Sequence, residues 1–316
     1  MNIIFMATGD IAIPTFKKLV ESKHEITLLV TQPDKPVGRK QILTPPKIKQ
    51  LALEHGIEVL QPEKIRQEGF VDQLSSYSCD VTVVMAYGQI LPQSVLELPK
   101  LACINLHASL LPKYRGSACI QAPIVNGDII SGVTIMHMSK GLDEGDIILK
   151  DALTISSEDT GGTLHDKLAL VAPTSLMKAL EKIESGIAKR LPQNADEVSY
   201  VNKLLRNDGE IDWELSAVDI ERIIRAYDPW PATFTLLKHP KKGVLRLKLF
   251  PNTQVISGNG NPGEIIAIGE DSFTVSCGSK SLIINEVQLE GSRRMSVADF
   301  LKSNLITLST KLGLKE

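Results

Sequence analysis

The rhythm of apolar and polar positions changes partway along the chain. In the first half, runs such as "NIIFMA", "EITLLVT", "CDVTVVMAYG" and "LACINLH" are nearly continuous and rich in β-branched residues. Short apolar runs without alternation predict strands buried on both faces. Between them, apolar residues recur at helical spacing: Ile13, Phe16, Leu19 and Val20 in one stretch, Ile48, Leu51 and Ala52 in another. Strands separated by helices predict an α/β domain with a Rossmann-like, mostly parallel sheet. "SGVTIMHMSKGLDEGDIILK" predicts two more strands around a glycine-bounded loop. A long helix is predicted in "TGGTLHDKLALVAPTSLMKALEKIESG". Pro173 is expected to break or bend it, since proline lacks the N–H that the helix interior needs.

After Gly186 the texture becomes polar and weakly periodic, as in a linker. "SAVDIERIIRAY" predicts a short helix that "YDPWPATF" ends. Short strands with Gly and Asn turns follow: "VLRLKLF", "GEIIAIG", "SFTVSCG" and "SLIINEVQLEG". Close spacing of short strands predicts a small, OB-like C-terminal β-barrel. A last helix, "SVADFLKS", carries Ser296 as its cap and Asp299 at the capping-box position. The boundaries read as a first domain over 1–188, a linker over 189–206 and a barrel domain over 207–316.

Composition changes this picture little. The chain has 316 residues, 43% hydrophobic and 23% charged, with a formal net charge of -2. No global basic excess points to nucleic acid, so any such site is a local patch. Four cysteines, Cys79, Cys103, Cys119 and Cys277, show no CxxC and no metal-ligand spacing. They read as reduced core residues of a cytoplasmic protein, and no metal is expected. "MNIIFMATGD" reads as a first strand and not a signal peptide. No apolar run approaches the ~20 residues of a membrane span. The first strand-to-helix turn lacks GxGxxG, which counts against a nicotinamide cofactor.

The chemistry concentrates where the run "LACINLH" ends. Asn105 and His107 are two apart on a strand and so share a side, while Leu106 points away. They stand at the C-terminal end of a parallel strand, the edge where open α/β sheets bind ligands. "GLDEGD" offers Asp143 on a loop after another strand. An amide, an imidazole and a carboxylate suit acyl transfer by direct attack. Asn105 and His107 would steady a developing oxyanion, and Asp143 would orient His107 and help move protons. Ser109 and the cysteines lack a base at triad order, so no covalent intermediate is expected. Residue types alone leave the structural reading open: a packed strand-end histidine, a turn-capping asparagine and an ordinary loop aspartate.

Two segments, "NLHASLLPKYRG" and "GVTIMHMSKGLDEGDI", together resemble the formyltransferase family that uses 10-formyltetrahydrofolate. The family pattern is Asn-x-His, then Ser-Leu-Leu-Pro-x-x-Arg-Gly, then an aspartate in Gly-Leu-Asp-x-Gly-Asp, and both halves are present in order. "VTQPDKPVGRKQILTPPKIKQLA", "VVMAYGQILPQSVLELP" and "IRAYDPWPATF" extend the likeness over nearly the whole chain, toward the branch of the family acting on methionyl-tRNA. The resemblance implies that Asn105, His107 and Asp143 are catalytic and that Ser109, Leu110, Leu111 and Pro112 contact the folate. Tyr87, Gly88 and Ile90, at the end of a buried strand beside this site, are expected to line the pterin pocket, partly through backbone groups. The chain departs from the family at Ala7 and Gly9, where glycine and proline are common, and at Ala108, a frequent glycine.

The same resemblance implies 10-formyltetrahydrofolate as formyl donor and initiator methionyl-tRNA as acceptor, with no membrane partner. The stiff, basic loop "TQPDKPVGRKQILTPP" would meet the acceptor end of the tRNA through Arg39 and Lys40. In the second domain no acidic residue occurs between Asp228 and Glu264, and Lys241, Lys242, Arg246 and Lys248 form a phosphate-binding strip. Arg293 and Arg294 add a second basic spot. The protein is expected to be a monomer. Rival readings are formyl transfer to glycinamide ribonucleotide or to an amino sugar, an RNA-binding module and a nicotinamide oxidoreductase. The basic loop and barrel domain favour tRNA; the intact trio speaks against a mere binding module.

Overall fold

The structure is a computed structural model that describes residues 1–38 and 40–313. Contacts divide them into two compact units, residues 1–119, 130–154 and 165–201 in the first and 120–129, 155–164 and 202–316 in the second.

The first unit is built on a seven-stranded sheet. Its strands are β1 (Asn2–Ala7), β2 (Glu25–Val30), β5 (Val59–Leu60), β6 (Val81–Met85), β7 (Ala102–His107), β9 (Ile130–His137) and β10 (Ile147–Thr154), and two minor pairs add β3 (Lys35–Val37), β4 (Ile42–Thr44), β8 (Arg115–Gly116) and β11 (Tyr200–Val201). The order across the sheet is β10-β9-β7-β6-β1-β2-β5. β1, β2, β5, β6 and β7 run parallel, and β9 and β10 antiparallel. Helices α1 (Ile13–Val20), α2 (Lys47–Glu54), α3 (Phe70–Ser75) and α4 (Gln93–Leu96) connect the parallel strands. Ile3, Ile4, Phe5 and Met6 are consecutive and all buried, as expected of a strand covered on both sides.

α5 (Gln121–Val125) belongs to the second unit, and α6 (Gly161–Glu184) lies mostly in the first. α6 runs on through Pro173, so of the break or bend expected from sequence the break does not occur. Leu168, Ala172, Leu176, Ala179 and Leu180 are buried along one face. Packing of that face outweighs the loss of about 3 kcal/mol that an interior proline brings. The stretch over 189–206 also differs from a plain linker. β11 pairs with β8, and the Arg115 N–H donates to the Ser199 carbonyl at 2.8 Å. Residues up to Val201 thus fold with the first unit.

The second unit holds α7 (Ala217–Ala226), α8 (Val297–Leu301) and two antiparallel four-stranded sheets. One contains β12 (Thr233–His239), β13 (Gly243–Leu249), β18 (Glu286–Leu289) and β19 (Met295–Ser296). The other contains β14 (Gln254–Ile256), β15 (Ile265–Ile268), β16 (Phe273–Ser276) and β17 (Ser281–Ile284). The chain passes from one sheet to the other at Asn285. One core unites them, formed by residues such as Trp213, Ile224, Leu247, Phe273, Ile284 and Phe300. Ser296 caps α8, its hydroxyl accepting from the Asp299 N–H at 3.2 Å.

Candidate active site

β7 delivers Asn105 and His107 to one face, and its register with β9 sets them opposite Met136 and Thr134. The turn after β7 is locked from both sides. Ser109 Oγ donates to the Lys113 carbonyl at 2.7 Å. Thr134 Oγ1 donates to the Ser109 carbonyl at 2.6 Å and accepts from the Leu111 N–H at 3.1 Å.

His107 is only 6% exposed. Its Nε2 lies 2.9 Å from the Tyr114 carbonyl, so this nitrogen carries a proton and donates it. That bond fixes the ring and turns Nδ1 toward Asp143, whose Oδ2 lies 3.7 Å away. The separation is within reach of charge attraction and beyond a hydrogen bond. Burial disfavours the imidazolium, but the Cys119 sulfur, the Asp143 carboxylate and the Tyr114 carbonyl outweigh it and raise His107 from 6.5 to about 9. A charged donor at neutral pH can stabilise negative charge on a nearby carbonyl oxygen. The side chain of Asn105 is half-buried and makes no hydrogen bond among the described residues. Its amide is therefore available to the same oxygen.

Asp143 sits on the loop between β9 and β10 with φ of 52°, in the left-handed region. Its Oδ2 accepts from the Gly116 N–H at 2.8 Å. Gly116 has φ of 107°, and a Cβ there would overlap the Val201 carbonyl oxygen. Gly116→Ala is thus expected to cost roughly 2–5 kcal/mol from strain and backbone overlap, read as a lower urea midpoint. Turnover of the remaining folded fraction should also fall, since the donor to Asp143 moves.

The other residues expected at the folate site are placed unevenly. Ser109, Leu111 and Pro112 are buried beside the trio, and Leu110 is half-buried against Gly132. Gly88, with φ of 87°, and Ile90 are exposed. The ring of Tyr87 packs inward. It is 2% exposed within the apolar core that includes Met6, Val30 and Leu91, and burial pushes its hydroxyl up to about 12. Ala86, with φ of 48°, reverses the backbone just before it. A cavity of about 360 Å³ opens beside the Asp143 loop, with Arg115, Ser139, Glu144 and Arg190 in its walls.

Two neighbours of the trio escaped sequence reasoning. Cys119, 7% exposed, stands by His107 although it reads as an ordinary core thiol. Gln193, in the stretch taken as linker, bonds the Asp143 loop; nothing in periodicity or composition marks it. Among the described residues no group of three or more His, Cys, Asp or Glu side chains could hold a metal ion.

The basic residues lie on both units. The loop carrying Lys40 is a short hairpin of β3 and β4 with Val37, Ile42 and Leu43 more than half exposed; Arg39 lies outside the described residues. Lys241, Lys242 and Lys248 are exposed on the hairpin of β12 and β13 and form no ion pair among the described residues. Arg246 is engaged: its guanidinium lies 4.3 Å from the Phe234 ring centre and donates to Asn207 Oδ1 at 3.2 Å. Arg294 is neutralised by two bonds to Glu286 at 2.5 and 2.6 Å.

The fold and this site define a formyl-transferring protein, and comparison with known sequences agrees. Residues 1–180 match the formyl transferase family and residues 203–305 match its C-terminal domain, so the chain belongs to that family, in its methionyl-tRNA formyltransferase branch. Methionyl-tRNA formyltransferase of Akkermansia muciniphila is 48% identical over 302 residues, 95% of this chain and 96% of that one. The enzyme of the same name from Lachnospira eligens is 41% identical over 99% of this chain and 100% of its own. Among solved structures, HypX from Aquifex aeolicus in complex with tetrahydrofolic acid shares the fold at a TM-score of 0.64 and 18% identity, covering 97% of this chain. This chain spans 48%, about half, of HypX. The sugar 3N-formyl transferase WlaRD shares it at a TM-score of 0.62 and 18% identity, over 93% of this chain and 99% of that one.

Proposed function

We infer that the protein transfers the formyl group of 10-formyltetrahydrofolate to the α-amino group of methionine on initiator methionyl-tRNA. The observation that carries this reading is the meeting of an Asn105 amide with no hydrogen-bond partner among the described residues, a raised His107 and Asp143 at the end of β7. The neutral amine attacks the formyl carbon, and the carbonyl oxygen becomes an oxyanion held by Asn105 and His107. Asp143 takes a proton from the attacking nitrogen. The oxyanion then collapses back to the carbonyl as the bond from the carbon to N10 of the folate breaks, and Asp143 passes the proton it took to the departing N10. Folate contacts at Ser109–Pro112 and at the backbone of Tyr87 and Gly88 place the donor, and the second unit holds the tRNA. No helix among the described residues is long and apolar enough to cross a membrane, and a cytoplasmic monomer is in keeping with this reading. The test is a formylation assay with purified protein, 10-formyltetrahydrofolate and aminoacylated initiator tRNA, run against glycinamide ribonucleotide and amino sugars. Preference for either rival acceptor would reject the tRNA assignment.

Direct attack needs no covalent enzyme intermediate, yet Cys119 stands by a histidine. Cys119→Ala separates the two routes. With direct attack, turnover at pH 7 stays within about threefold, whereas loss of a true nucleophile costs on the order of 10²-fold or more. The pH profile should change all the same. An imidazolium that helps the reaction is lost as pH rises through about 9, so turnover of the wild type declines there. Cys119 is among the groups raising His107, so this alkaline limb shifts to lower pH in Cys119→Ala. Trapping a formyl-enzyme without tRNA, or an unmoved alkaline limb, would count against this account.

A further inference from the structure

We propose that Gln193 is a positioning residue for the reaction, clamping the Asp143 loop against β8; the proposal rests on the formyl-transfer reading above. Its side-chain amide is fully used. Nε2 donates to the Asp143 carbonyl at 2.8 Å and to the Gly145 carbonyl at 2.9 Å. Oε1 accepts from Arg115 Nε at 3.0 Å and from Arg115 Nη2 at 2.8 Å. A primary amide is the one side-chain group offering two donors and an acceptor in this arrangement.

The placement matters more than the number of bonds. Arg115 precedes Gly116, whose N–H holds the Asp143 carboxylate at 2.8 Å. Asp143 is therefore tied at its carbonyl, through Gln193, and at its carboxylate, through Gly116, to the same two-residue strand. That strand is itself fixed: β8 pairs with β11, and Arg115 Nη1 donates to the Tyr200 hydroxyl at 3.0 Å. Arg115 is 7% exposed and its partners here are neutral, so the Gln193 oxygen compensates for much of its lost hydration. Left-handed backbone at a non-glycine residue is strained and persists only where its surroundings over-determine it. Gln193 and Gly116 supply that over-determination at Asp143, and with it the 3.7 Å spacing to His107.

Gln193→Ala removes the whole clamp. Gln193→Glu keeps an acceptor for Arg115 but sets carboxylate oxygens against two carbonyls. Both variants are expected to lower kcat by about 10²-fold, the scale of a misplaced catalytic group, with KM for folate and for tRNA within about threefold. Hydrogen exchange of residues 139–146 should speed up in both, while the urea midpoint moves little. Wild-type kcat in Gln193→Glu would overturn the proposal. So would a kcat loss that only tracks the unfolded fraction, or one with unchanged exchange in the loop. A wild-type protein that fails to formylate methionyl-tRNA rejects the functional reading instead. The exchange measurement still decides the clamp in that case.

Discussion

Alanine at His107 or at Asp143 is expected to cut formylation turnover by on the order of 10²-fold or more, the scale of lost oxyanion or acid–base assistance. Folate affinity should stay within a few-fold, because neither side chain belongs to the segments that place the donor. The two residues act as one unit. The Tyr114 carbonyl fixes the ring of His107 at 2.9 Å, and Asp143 faces its Nδ1 at 3.7 Å. The carboxylate is also among the groups that raise the imidazole. The double variant should therefore be little worse than either single one, as for other groups that work together. Asp143→Asn divides the carboxylate's duties. It keeps an oxygen for the Gly116 N–H but loses the charge, so the alkaline limb of the pH profile moves down while the loop stays in place. Turnover at saturating substrates, with folate binding measured separately, checks all three. Near-normal turnover in either alanine variant would remove that residue from the mechanism.

The pairing of Asn105 with His107 was legible because a strand alternates: two residues apart on any strand means one face. The approach of Asp143 was only half legible. Its loop could be named from the glycines around it, but its distance to His107 depends on the register that sets His107 opposite Thr134. That register arises from packing across the sheet and leaves no local mark. The burial of the Tyr87 ring was not legible for a related reason. The run "CDVTVVMAYG" is apolar throughout, so no alternation reports which way its last ring turns, and the left-handed Ala86 reverses it into the core. Gln193 and Cys119 act across 50 and 12 residues of sequence from Asp143 and His107 respectively, and neither type stands out in its stretch. Helix α6 shows the converse. The proline signal was real, but one well-buried face outweighs a single missing hydrogen bond.

Neutralising Lys241, Lys242 and Lys248 together should weaken tRNA binding and flatten its dependence on salt. Four cations of this strip were expected from sequence to act alike. The structure separates them: the three lysines are exposed without ion pairs among the described residues, whereas Arg246 is stacked on Phe234 and bonded to Asn207. Arg294, in the second basic spot, is cancelled by Glu286. A lysine that meets a phosphate releases roughly one counterion, so three such contacts contribute about 3 to the slope of log affinity against log salt. Between 50 and 200 mM salt that slope is worth about 60-fold in affinity, an advantage the wild type shows at the low end and the variant lacks. Phosphate contacts carry little base identity, so the loss should be similar for initiator and elongator tRNAs. Arg246→Ala should act differently, lowering stability through lost packing on Phe234 while changing the salt slope little. Titrations of tRNA at several salt concentrations, with folate binding as the control, distinguish the two variants. A triple-lysine variant with the wild-type slope would mean that the tRNA backbone lies elsewhere, and the hairpin of β12 and β13 would need another role.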